Sequence, residues 1–264
     1  MARGVFRGRA CEGEPSLTAG TVFQDTRKPV RMWVLAMWFI PSQKNGVSAL
    51  SLQRVLGLGS SETAWTWRHK RRRARVRPER ERLSGEIEID ETDGGGPEEG
   101  KRGRETERKA IVVLAPEKRG HAIGRIRLRR INDVSAESLR QFIRETIEPG
   151  ATIHTDGWKG YAGLANVGSS HRITVITAGP ELAHEGMPRV HTVAALLKRW
   201  LLGTLQGGIQ HQHLEYNRDE CTVRFTRRRS HARGLLFHRL AQQAVAVGPA
   251  SYHSLISGIA PVRG

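Results

Sequence analysis

Apolar positions follow two rhythms along this chain of 264 residues, and the change falls near residue 85. Before it the spacing is helical. From Pro29 to Ile40 a short helix is expected, with proline in the first turn, where its missing N–H leaves nothing unsatisfied. Val47 to Leu56 reads as a second helix, with Leu50, Leu52, Val55 and Leu56 available for a core. Gly57-Leu58-Gly59-Ser60 then makes a tight turn ending in a capping residue, and a third helix runs from about Ser61 to Arg75. Residues 1–28 are rich in Gly and Arg, show no period and are expected to pack poorly.

After an Arg-, Glu- and Pro-rich linker at residues 76–85, the period drops to two. Glu86-Ile87-Glu88-Ile89-Asp90 alternates as a half-buried strand should, and Gly94-Gly95-Gly96-Pro97 ends it. A charged loop over residues 97–108 precedes two strands, Lys109–Leu114 and Ala122–Ile131. Ser135 to Ile147 is a helix with Leu139, Phe142, Ile143 and Ile147 inward. Thr152–Asp156 and His171–Thr177 are further strands, separated by a turn or short helix at Gly157–Ala162. Helices follow at about Pro188–Leu205, His213–Thr226 and Ala232–Ala246. This order predicts an α/β fold, a mixed sheet flanked by helices, preceded by a small all-α region.

Charge adds a partner to this picture. The formal net charge is +17, and residues 1–84 carry +11 of it, from 17 Lys/Arg against 6 Asp/Glu. The third predicted helix concentrates Arg68, Lys70, Arg71, Arg72, Arg73 and Arg75, six cations in eight residues. Two short helices joined by a Gly-containing turn, the second strongly basic, describe a helix-turn-helix suited to double-stranded DNA. An anionic membrane surface and simple solubility are the competing explanations. The longest apolar run, Met32–Ile40, is too short to span a bilayer, so no membrane association is expected. Residues 1–20 lack the apolar stretch of a signal peptide. Cys11 and Cys221 stand 210 positions apart without metal-ligand spacing, so no structural zinc and a reduced, cytoplasmic, nucleoid-associated chain are expected.

Candidate chemistry lies in the second half. Asp90 and Asp156 each sit where a strand meets a turn, and His191 lies on a helix 35 residues beyond the second aspartate. On that helix Val190, Val193, Ala194, Leu197 and Leu201 form an apolar stripe, with His191 and Lys198 at its edge, two turns apart. Strand carboxylate, strand carboxylate and helix ligand, in that order, form the skeleton of ribonuclease H-like phosphodiester-cleaving folds. Two divalent metals at such a site activate the attacking hydroxyl and stabilise the leaving oxygen. Mg²⁺ suits the carboxylates, and the imidazole shifts preference somewhat toward Mn²⁺. By alternation Glu86 and Glu88 share the face of Asp90, so either is a substitute ligand. Each residue also has a plain explanation: a turn aspartate, a hydrogen-bonded boundary histidine, a surface lysine.

At these residues the chain resembles the insertion-sequence transposases of the ISXO-like group, within the DDE superfamily. The matching segments run from about Ser16 to Val247. They are S-L-T-A-G-T-V-F-Q-D-T-R-K-P, W-x-x-A-M-W, G-V-S-A-L-S-L-Q-R-V-L-G, E-I-E-I-D-E-T, I-H-T-D-G-W-x-G-Y, V-H-T-V-A-A-L-L-K-R-W-L-L-G-T and F-T-R-R-R. The resemblance implies a ribonuclease H-like core that nicks element ends and joins them to target DNA. Asp90, Asp156, His191 and Lys198 take the four catalytic positions, the first three as metal ligands; Lys198 and Arg199 join the basic helix as DNA contacts. A homo-oligomer assembled on DNA is expected. Two departures stand out: only Cys11 lies where the group carries a four-cysteine zinc ribbon, and Asp93 replaces the tyrosine of D-E-T-Y.

The expected organisation is therefore a zinc-ribbon remnant over residues 1–28 and a helix-turn-helix over 29–78. A catalytic domain over 79–250 and a tail over 251–264 complete it. The rivals are a catalytically decayed remnant that only binds DNA and, more distantly, a basic RNA-binding protein of ribosomal type.

Overall fold

The computed structural model describes residues 16–43, 46–74, 81–94, 110–161, 170–173, 186–205 and 214–256. In chain order the elements are α1 (Val30–Ser42), α2 (Ala49–Leu56), α3 (Ser61–Arg73), β1 (Glu86–Glu88) and β2 (Asp90–Gly94). Then come β3 (Ala110–Arg119), β4 (Ala122–Ile131), α4 (Ala136–Thr146), β5 (Thr152–Thr155), a 3₁₀ turn (Lys159–Tyr161) and β6 (Ser170–Ile173). The helices α5 (Pro188–Leu205), α6 (Leu214–Thr226), α7 (Arg233–Ala246) and α8 (Tyr252–Ile256) complete the order. Cys11, Arg75, the loop at 97–108 and the ends of four further predicted elements (Lys109, Ala162, residues 174–177 and His213) lie outside the described residues. Among those described, no helix is long and apolar enough to cross a membrane.

The chain divides into two units, Met1–Arg77 with Ser230–Gly264, and Pro78–Arg229. This differs from the expected boundary at residue 250, because α7 joins the first unit: its Leu240 and Ala244 pack with Trp33, Met37, Ile40 and Leu52. Local capping sets the helix limits there. Ser48 Oγ accepts the Ser51 N–H at 3.1 Å, Ser60 Oγ accepts the Glu62 N–H at 3.1 Å, and Gly57 ends α2 at φ +62. Trp33 and Trp67 stack with centroids 3.9 Å apart, and Phe23 meets Trp33 edge-on. Val22 and Phe23 are buried, so the segment from residue 16 onward packs where poor order was expected. Of the α2 core candidates only Leu52 is fully buried; Leu50 and Val55 are each 55% exposed, since an eight-residue helix turns one side inward.

The second unit is a single mixed sheet, five strands wide, with helices on both faces. β1 and β2 pair with β3 in one continuous antiparallel register, Ile87 opposite Glu117 and Asp90 opposite Leu114, and so act as one strand. The break at Ile89 is bridged by its N–H, which bonds His154 O at 2.8 Å. Counting β1 and β2 together, the order is β4, β3, β1/β2, β5, β6, with β1, β5 and β6 parallel. This is the mixed sheet predicted from the pattern, with the order of a ribonuclease H-like fold. On one face α4 buries Leu139, Phe142 and Ile143 against Ile87, Ile89, Val113 and Ile153. On the other, α5 sets Val190, Val193, Leu197 and Leu201 against Val112, Leu114, Ile126 and Leu128.

One side chain fastens α5 to the sheet. Pro188 opens the helix without an N–H, and the next two, from Arg189 and Val190, both go to Glu88 Oε2 at 2.8 Å. The Arg189 guanidinium adds a bond to Glu88 Oε1 at 2.9 Å. A carboxylate on a central strand thus serves as N-cap for a helix a hundred residues later in sequence, with the helix dipole favouring its charge. Replacing Glu88 by Gln retains one acceptor, removes the charge and leaves the Arg189 cation unpaired. Unfolding in urea is expected to show a loss of about 2–5 kcal/mol for this variant.

Candidate functional site

The sheet register decides which acids meet. Asp90 pairs with Leu114, which lies in the cluster beneath α5, whereas Glu91 pairs with Val113 on the α4 side. On β5 the parallel register sets Glu88 beside His154, and Asp156 follows directly on the end of that strand. Both aspartates lie near enough to Tyr161 for their charges to act on its hydroxyl. Both are half-buried. Asp90 Oδ1 accepts the Glu91 N–H at 2.8 Å, and Asp156 Oδ1 accepts the Trp158 N–H at 3.0 Å. Each carboxylate is therefore steadied by a backbone N–H.

His191 follows directly on the turn that Glu88 caps, and so stands over the same face of the sheet. It is half-buried, and its Nε2 is buried with no hydrogen-bond partner among the described residues. An orphaned buried nitrogen costs about 1–3 kcal/mol, which a bound ligand would recover. Lys198 and Arg199 are exposed farther along α5. Asp90 thus shares the face of the sheet that α5 covers, the helix that bears His191; among the described residues, no three acid, His or Cys side chains are grouped as ion ligands. The donor set still fits a divalent cation, with oxygen from two carboxylates and an imidazole nitrogen that has no other partner.

The remaining acids are committed elsewhere. Glu86 takes the Lys118 ammonium at 2.6 Å and faces Arg172 at 3.7 Å; the Lys118 bond is the main reason its carboxyl lies below the usual range. Glu88 is the cap of α5. Neither is therefore the substitute ligand that alternation allowed. Asp93 pairs with Ile111, one more strand position on the α4 side, and so does not share the face of Asp90. His154 is buried, and burial, then the charge of Arg172, lowers its pKa.

Beneath the aspartates, on the α4 side, Tyr161 is fully buried and donates its hydroxyl to Glu91 Oε1 at 2.7 Å. Burial, then Glu91, then the charges of Asp90 and Asp156 push its pKa well above the ordinary tyrosine range. Sequence reading passed over this pair and the Glu88 cap. The available signal was an acid on each face of one alternating strand, together with a tyrosine five residues after Asp156.

The basic helix differs from expectation. Arg68, Arg71 and Arg72 on α3 are buried and Lys70 is half-exposed, its Nζ 3.5 Å from Gln24 O. Arg73 lies at the last turn of α3. Trp67 and Ala64 point α3 into the aromatic core, so the arginines that share its curvature are not arrayed as a solvent-facing stripe.

A family model described as the ISXO2-like transposase domain matches residues 82–226, more than half of the chain, and its span takes in both aspartates, His191 and Lys198. No curated protein matches the chain. With the whole mixed sheet and the helix α5 inside the matched span, the chain belongs to the ISXO2-like transposase domain family of insertion-sequence transposases, within the DDE superfamily.

Proposed function

We propose that this protein binds insertion-sequence ends and catalyses metal-dependent DNA strand cleavage and strand transfer. One observation carries the reading: among the described residues His191 has a buried Nε2 without a hydrogen-bond partner, on the helix that packs over the face of Asp90. Bound there, Mg²⁺ or Mn²⁺ would activate the attacking water or 3′-hydroxyl and offset charge on the leaving oxygen. Asp90 and Asp156 supply oxygen ligands from rigid strand ends, and His191 supplies the third donor from α5. The Glu88 cap and the apolar stripe of α5 hold that helix at a fixed height above the sheet. Lys198 and Arg199 meet phosphates of the bound strand, and the protein acts as a homo-oligomer on element ends and target DNA. Catalysis of this kind rests on positioning and charge rather than on a covalent protein intermediate.

Purified protein mixed with terminal-repeat DNA and Mg²⁺ is expected to give nicks at the element end. Asp90→Ala and Asp156→Ala should each lower the cleavage rate by roughly a thousandfold, as loss of an ion ligand removes several kcal/mol of transition-state stabilisation. Binding without cleavage in the unaltered protein would instead favour the decayed, DNA-binding-only remnant. His191→Glu should restore a purely oxygen donor set and move the metal preference from Mn²⁺ toward Mg²⁺, read from cleavage rates across both ions. Lys198→Ala should weaken binding evenly across DNA sequences and reduce the salt slope of log K by about one, measured by titration in increasing salt.

A further inference from the structure

Asp156 opens a turn whose next large side chains both face solvent. Trp158 is 40% exposed and Lys159 is exposed beside it, with no ion pair among the described residues. The turn is built to keep the indole there. The Trp158 N–H goes to Asp156 Oδ1 at 3.0 Å, and the Tyr161 N–H returns to Trp158 O at 2.9 Å. Gly157 takes φ +83, where a side chain would be strained. Gly160 is buried, and a Cβ there would stand 2.8 Å from Cδ1 and Nε1 of the indole and 2.9 Å from Val134 O. The ring therefore rests against bare backbone, an approach that glycine alone permits. Tyr161, anchored to Glu91, closes the turn from below.

We propose that Trp158 stacks on an unpaired nucleobase next to the phosphate handled at Asp156, while Lys159 neutralises a phosphate of the same strand. The inference deepens the proposed function and takes from it only that DNA reaches this end of the sheet. The chemistry selects a base. Every nucleobase offers a π face, an indole is a strong stacking partner, and a cation one residue away matches the charge of a sugar-phosphate backbone. A base inside an intact duplex is covered on both faces by its neighbours, so the ring takes one freed at a strand end or by local unstacking. Stacking of this kind tolerates any sequence and would register the strand against Asp156 without reading it.

The test uses the intact protein in metal-free buffer, so that it does not depend on cleavage. Fluorescence anisotropy compares two labelled probes: a blunt duplex, and the same duplex carrying a short single-stranded overhang. The unaltered protein is expected to bind the overhang probe more tightly. Trp158→Ala should lose about tenfold affinity for that probe, in line with loss of one stacked base, and leave the blunt probe nearly unchanged. Trp158→Phe should recover most of the loss. A 5-bromodeoxyuridine placed in the overhang should photocrosslink to the peptide that contains Trp158, a readout that needs no variant. Equal loss on both probes, no loss on the overhang probe, or a crosslink mapped elsewhere overturns the proposal. An intact overhang preference in a protein that never cleaves DNA sinks the proposed function and leaves this inference standing.

Discussion

The carboxylate of Glu88 ties α5 to the central strand of the sheet. Without it, α5 would begin with unsatisfied N–H groups against an apolar sheet, where water is excluded and each missing bond costs about 1–3 kcal/mol. With it, the helix start is fixed to the strand that carries Asp90, two residues farther along. Apolar packing alone would let α5 slide or rotate, because ridges of valine and leucine fit several grooves nearly as well. Directional bonds from two consecutive amides to one oxygen select a single placement. The position of His191 relative to Asp90 is a consequence of that selection.

The same alternating strand serves its other face in a comparable way. Glu88 and Asp90 face α5, while Glu91 turns toward α4 and takes the hydroxyl of Tyr161. That bond joins the strand bearing Asp90 to the turn that follows Asp156, across the parallel pair β1 and β5. Each aspartate is thereby flanked by a neighbouring contact that is itself buried. Such supporting contacts matter where a site demands sub-ångström placement, since the acids themselves are left to face a ligand.

Much of this was legible in the chain itself. Period-two alternation in E-I-E-I-D and period-3.6 stripes in α4 and α5 report burial on one side, which is local physics, and the elements lie within a few residues of where those patterns set them. Serine caps and Gly57 at positive φ are local as well. What sequence pattern did not reveal is long-range. The Glu88 cap spans more than a hundred residues, and nothing in either segment marks its partner. The packing of α7 with α1, and of Val22 and Phe23 with Trp33, likewise depends on tertiary closure. The run from Arg68 to Arg75 suggests a helix that contacts DNA; the burial of Arg68, Arg71 and Arg72 follows from the direction Trp67 gives the helix.

Electrostatics explains why a strongly basic chain keeps such an acidic centre. Asp90, Glu91 and Asp156 gather around one buried phenol, whose proton they help to retain. A DNA strand arriving at that face brings more negative charge to a place that already repels it. The net +17 of the chain draws the polyanion to the protein but does nothing at the short range of the two carboxylates, because screening confines each surface cation to about 10 Å. Contact between phosphate and aspartate therefore requires a positive group between them. Asp90 and Asp156 each accept a backbone N–H, a dipole rather than a full charge. A small divalent ion, held also by the unpartnered nitrogen of His191, meets that requirement and would couple binding of DNA to binding of metal.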